Sequence, residues 1–105
     1  MLTQPSTSTS GSNAINIITY AAQANVSHAI EKVVFSYNAA PTGGQLYIED
    51  EATTIFSVDI TAAGPGPIDF DDDPIVGSIG NQVRVIMAAG GSNVISSLNV
   101  WHSTR

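Results

Sequence analysis

The densest chemistry in the chain is the acidic run Asp69-Phe70-Asp71-Asp72-Asp73. Hard cations such as Ca²⁺ and Mg²⁺ need several carboxylate oxygens converging on one point, and Asp69, Asp71 and Asp73 at alternate positions match the first half of an EF-hand loop. The second half does not follow. Its sixth position is Pro74 where a glycine is needed, and its twelfth is Gly80 where a bidentate Glu is needed. Asp69, Asp71 and Asp73 are therefore weak metal candidates, and the run reads as a solvated or partner-facing loop. His28 and His102 are the only histidines. Two imidazoles plus acids can make a metal site or an acid/base pair, but both fall at expected strand ends with nothing in the sequence to join them. They read as two unrelated edge or surface residues. There is no cysteine, so disulfides and thiolate zinc sites are out. Gly77-Ser78-Ile79-Gly80 is one residue short of the nucleophile elbow G-x-S-x-G and no helix-forming stretch follows it. The reading is a non-enzyme with no cofactor.

Aromatic residues hold the remaining interest. Trp101, Tyr47 and Tyr20 fall opposite to the apolar positions expected to point inward. Outward Trp and Tyr mark protein interfaces or the stacking platforms of sugar sites. Ile55 and Ile86, also expected outward, would extend such a patch. If the face assignment of the last strand is reversed, Trp101 belongs to the core instead.

These residues need strands to position them, and the pattern supplies strands throughout. Gln45 to Ile60, QLYIEDEATTIFSVDI, alternates in two runs joined by an acidic turn, which is the signature of a β-hairpin. Leu46, Ile48, Phe56, Val58 and Ile60 share one face; Tyr47, Glu49, Ser57 and Asp59 share the other. Coincidence of the apolar faces sets Ile48 opposite Phe56 and Leu46 opposite Val58. Of the loops this register permits, the five-residue one, Asp50 to Thr54, is expected, because the three-residue alternative puts β-branched Thr53 in a left-handed position. Further strands are expected over Asn13 to Tyr20, His28 to Asn38, Asn81 to Ala88 and Val94 to His102, with a short edge strand at Ile68 to Phe70 and another at Ile75-Val76. In the first of these, Ile15 and Ile17 lie on one face and Ile18 and Tyr20 on the other, so the strand is expected to be covered on both sides or to meet another subunit. Gly64-Pro65-Gly66-Pro67 is expected to be a loop, since proline removes ladder donors.

About seven or eight strands at roughly ten-residue spacing, without a usable helical pattern, define an all-β antiparallel β-sandwich, jelly-roll-like or immunoglobulin-like. Residues 13–105 form its single domain. Residues 1–12, MLTQPSTSTSGS, read as a flexible Ser/Thr-rich N-terminal arm that would order on a partner, with Leu2 and Pro5 as its anchors. The chain has 105 residues, Lys32, Arg84 and Arg105 as its only basic residues, nine acids and a net charge of −6. Nucleic acid is excluded as a partner, because phosphate binding needs clustered Lys and Arg. No stretch reaches the roughly 18 apolar residues of a membrane span, and nothing at Met1-Leu2-Thr3 resembles a signal peptide, so no membrane is expected and an intracellular origin is. Only 11% of residues are charged, a surface better suited to contact with other protein than to isolation.

The hairpin and the loop after it, IEDEATTIFSVDITAAGPGP, with FSYNAAPTGGQLYIED before and VRVIMAAGGSNVISSLNV near the end, resemble small β-sandwich virion proteins of tailed bacteriophages, of the capsid decoration (cement) type. The resemblance spans residues 28 to 100 and includes no catalytic residue. It implies a structural protein on the phage head surface, made in the host cytoplasm, that binds the major capsid protein and copies of itself as a trimer or dimer and stabilises the assembled head. Leu2, Pro5, Tyr20, Tyr47, Ile55, Ile86 and Trp101 would carry these contacts. The alternative is a small receptor- or carbohydrate-binding module of a phage fibre or spike, with an exposed aromatic cluster around Trp101 and Tyr47.

Overall fold

The computed structural model describes residues 7–70 and 72–105. Its strands are β1 (Thr7–Ser12), β2 (Asn16–Tyr20), β3 (His28–Tyr37), β4 (Gly44–Asp50), β5 (Thr53–Ile60), β6 (Gly64–Asp69), β7 (Ile75–Val76), β8 (Val83–Met87) and β9 (Ile95–Thr104). No helix among the described residues is long and apolar enough to cross a membrane.

The pairing is nested. β4 pairs with β5, β3 with β6, β2 with β8 and β1 with β9, all antiparallel. The chain behaves as one long hairpin with the β4–β5 turn at its tip, rolled until its two halves face each other. One sheet runs β1-β9-β3-β6 with β7 added on β3, the other β2-β8-β4-β5. This is the jelly-roll form of the antiparallel sandwich. Apolar alternation drives the closure. Val33, Leu98 and Val100 from the larger sheet meet Leu46, Ile48 and Val85 from the smaller, all with no exposed surface. Each large side chain so buried stabilises the fold by about 1.5–3 kcal/mol.

The hairpin has the expected register at Leu46↔Val58 and Ile48↔Phe56, but its turn is tighter than the sequence reading. Asp50 pairs with Thr53, and the register shifts between Ile48 and Glu49. Glu51 takes the left-handed strain, at φ 54. A bulge on the β5 side at Ile55 absorbs the offset, so Thr53 never enters the left-handed position that had argued against a short loop.

Two other expectations change. Thr7–Ser12, read as part of a flexible arm, is a strand hydrogen-bonded along β9; Leu2 and Pro5 lie outside the described residues. Gly64-Pro65-Gly66-Pro67, read as a loop, belongs to β6. That strand lies at an edge, and prolines two residues apart both place their missing donor on the same, outward side. Its register on β3 sets Gly66 against Phe35, where an added Cβ would come within 2.3 Å of the ring. A side chain there would have to displace the Phe35 ring.

Candidate functional site

Alternation turns Gln45, Tyr47 and Glu49 of β4 away from the core, and with them Ser57 and Asp59 of β5. One cross-strand row on this outer face reads Ile17, Ile86, Tyr47, Ser57; the row beside it ends in the pair Gln45↔Asp59. At that corner the β3–β4 turn and the segment after β5 rise above the sheet and leave a shallow cleft of about 290 Å³, lined by Pro41, Gly43, Gly44, Gln45, Asp59, Ile60 and Thr61. The local sequence explains its shape. Gly43 has φ 72, a turn that glycine adopts without strain. A Cβ on Gly44 would lie 2.6 Å from the Ile60 carbonyl oxygen and 2.7 Å from Pro41 Cγ, so the floor stays low only because residue 44 has no side chain. The cleft thus combines an amide, a carboxylate and a hydroxyl with apolar walls, two residues along the strand from the half-buried ring of Tyr47. Glu49 and Arg84, facing each other from β4 and β8, form an ion pair on the same face, which offsets one negative charge against a positive one there.

Trp101 stands on the other outer face. Its neighbour Val100 is fully buried, and its cross-strand partner is Lys32, whose Nζ sits 5.3 Å from the indole centroid. The expected cluster of Trp101 with Tyr47 therefore does not form: the two residues lie on opposite sheets. Ile86, expected outward, does lie on the outer side of β8 but is only 3% exposed, because Ile17 and Tyr47 flank it in the row. Ile55 is 36% exposed, at the hairpin bulge, and Ile15 and Ile17 are 61% and 48% exposed. Tyr20 is turned inward rather than outward, on the same side as buried Ile18.

That turn brings together what the sequence reading kept apart. The Tyr20 ring stacks on His102 at 3.8 Å and 7°, and His28 Nδ1 lies 2.8 Å from His102 Nε2. His28 Nε2 is 2.7 Å from the Ala21 carbonyl, which only accepts, so Nε2 carries the His28 proton. In the neutral ring His28 Nδ1 then accepts from His102 Nε2–H. Burial pushes the His102 pKa down to about 4, the His28 charge pushes the same way, and Glu31 opposes them. This hydrogen-bonded pair ties β3 to β9 and to the segment after β2. It is a structural joint. The signal was present only as two strand-end histidines 74 positions apart, which no local pattern links.

The remaining candidates resolve into tethers. Ser78 Oγ donates to Asp50 at 2.9 Å, joined there by Ser78 N–H at 3.0 Å and Asn81 Nδ2 at 2.9 Å. Burial opposes ionisation of Asp50, but the Asn81 and Ser78 donors outweigh it and hold the carboxyl below its usual range. This pins the 77–81 loop to the hairpin tip. Asp73 N–H closes a turn on the Phe70 carbonyl, Asp69 of β6 lies opposite Lys32 of β3 in the strand register, and Asp71 lies outside the described residues. Among the described residues no three His, Cys, Asp or Glu side chains gather as a metal ligand set.

No family model matches the sequence, and neither does any curated protein. The fold has counterparts among solved structures. The CBM36-1 domain of a multidomain xylanase from the hindgut metagenome of Trinervitermes trinervoides is similar at a TM-score of 0.50 and 8% identity, over 97% of this chain and 83% of that one. A carbohydrate-binding module CBM36 in complex with calcium and xylotriose is similar at a TM-score of 0.47 and 14% identity, over 100% of this chain and 88% of that one. The class is thus an all-β sandwich of the architecture found in the CBM36-1 domain.

Proposed function

We infer that the protein is a non-catalytic carbohydrate-binding module that holds a neutral glycan on the outer face of its four-stranded sheet. The observation that carries this reading is the cleft lined by Gln45, Asp59 and Thr61 with Tyr47 beside it on the same face. A sugar needs both a ring to stack on and a few fixed hydrogen-bonding groups in a concave corner. The Gln45 amide donates and accepts, the Asp59 carboxylate accepts two hydroxyls, and Thr61 does either. With a net charge of −6 an acidic polysaccharide would be repelled, so the ligand is neutral. The shared architecture with a domain described as carbohydrate-binding supports the ligand class. Affinity electrophoresis against soluble neutral polysaccharides (a xylan, a β-glucan and a mannan) tests it. Retardation by one of them, weakened in Tyr47→Ala, is expected; migration unaffected by all three would overturn the reading.

A second reading is the virion component that the sequence resemblance implies. It is favoured by Ile15 and Ile17, 61% and 48% exposed at the β2 edge, an apolar strip suited to protein contact. It predicts cosedimentation with phage capsids that Ile17→Asp removes. No cosedimentation would count against it.

A further inference from the structure

The outer face of the five-stranded sheet carries an aromatic plate that the cleft does not use. Trp101 is the chain's only tryptophan. Lys32 is its cross-strand partner on β3, and Asp69 is the partner of Lys32 on β6, so the two charges beside the ring cancel. Lys32 Nζ lies over the ring, 5.3 Å from its centroid, drawn by the negative π face, and the weakly positive C–H face of a pyranose that displaced it would be drawn by the same quadrupole. One register step further stand Asn99 and Val34, and then Ser97 and Ser36, whose hydroxyls share a 2.7 Å hydrogen bond. The result is one partly exposed ring bordered by an amide, hydroxyls and an ammonium donor. Among the described residues the apolar side chains on this face are Val34, the edge prolines and, beyond Ala29, Val76, dispersed rather than gathered at the ring, and an anion would meet the acidic surplus of the chain. The chemistry fits a neutral polyhydroxylated chain.

The geometry points to a second glycan subsite on this face, with Trp101 as its stacking plate and Asn99 and Lys32 as its donors, taking a neutral polysaccharide. The inference rests on the carbohydrate reading above and adds that the module is two-sided. Because the sheets lie back to back, the two subsites engage separate chains or separate stretches of one chain, and avidity rather than either site sets retention.

The full chain reports on this subsite directly, since all its tryptophan fluorescence comes from Trp101. The wild-type protein and the variants Tyr47→Ala, Trp101→Ala, Asn99→Ala and the Tyr47/Trp101 double alanine are titrated with the xylan, β-glucan and mannan, with melting curves to establish folding. The expected result is a polysaccharide-dependent change in Trp101 emission that persists in Tyr47→Ala. Retention should fall by roughly tenfold in either single tyrosine or tryptophan variant and further in the double variant. If Trp101→Ala does not fold, Asn99→Ala takes its place, with a smaller loss expected. Wild-type retention with unchanged Trp101 emission and full retention of Trp101→Ala and Asn99→Ala would overturn the second subsite while leaving the cleft in place. Absence of wild-type retention on every polysaccharide would remove both.

Discussion

The two outer faces of this sandwich are built by the same alternation and end up as different surfaces. On the four-stranded side, Tyr47 lies in a row with Ile17 and Ile86, and the row is crowded enough to bury Ile86 to 3% exposure. A cleft is added at the corner where two connections rise above the sheet. On the five-stranded side, Trp101 has Lys32 and then Asp69 across the strands, and the surface is a flat polar field with one ring. Alternation decides only that a residue points out. Its cross-strand neighbours, drawn from distant parts of the chain, decide whether it is covered, paired or presented.

The largest test of this contrast is Gly44→Ala. The new Cβ would meet the Ile60 carbonyl at 2.6 Å, a backbone atom with little room to retreat, so overpacking should destabilise the fold by about 1–3 kcal/mol. The cleft should narrow as well, leaving the Trp101 face as it was; a melting curve and polysaccharide titration on one sample separate the two effects. Next comes Tyr47→Ala, expected to weaken retention by roughly tenfold, about 1.4 kcal/mol. If stability falls instead while retention holds, Tyr47 is a packing residue for Ile86 and the face is not a binding face.

Acid probes the joint that holds β3 to β9 beneath the Trp101 face. Folded His102 takes its proton only at about pH 4, below the ordinary 6.5, so the unfolded chain binds a proton that the fold refuses. Stability is full above pH 6.5 and declines as pH falls from there toward 4. Because the group is partly solvated, the loss is on the order of 1 kcal/mol. In His102→Gln the portion of this decline between pH 6.5 and 5 should vanish in urea melts at stepped pH; a wild-type curve flat over that range would refute the joint. The smallest effect is expected from Lys32→Ala. Losing an exposed cation–π contact should cost roughly 0.5–1 kcal/mol, with no change at the cleft.

Much of this architecture was legible. The hairpin register from Leu46↔Val58 to Ile48↔Phe56 follows from matching apolar faces, and the strands β3, β8 and β9 follow from β-branched alternation. The candidate cleft was not legible. Gln45 and Asp59 could be assigned to an outer face, but the rise of Pro41 and Thr61 around them depends on Gly44 sitting under the Ile60 carbonyl, a contact between chain segments rather than a pattern within one. Tyr20 was misplaced because strand β2 has apolar residues on both faces, leaving the choice of inner face undetermined until β8 pairs with it. The stretch from Gly64 to Pro67 was misread because proline forbids an internal strand but tolerates an edge, and edge position is a property of the sheet.

By itself the sequence determined an all-β antiparallel sandwich, the outward direction of Tyr47, and an acidic balance of charge, while the face of Trp101 was left open. These are consequences of a two-residue period and of charge, both local or additive. Only the tertiary structure decided the nested strand order, the meeting of His28 with His102 and Tyr20, the Asp50 tether of the 77–81 loop, and the separation of Tyr47 from Trp101 onto opposite faces. Each of these joins residues far apart in the chain, and such contacts are fixed when the rolled hairpin closes its two sheets over a shared core, an event to which no single strand's pattern refers.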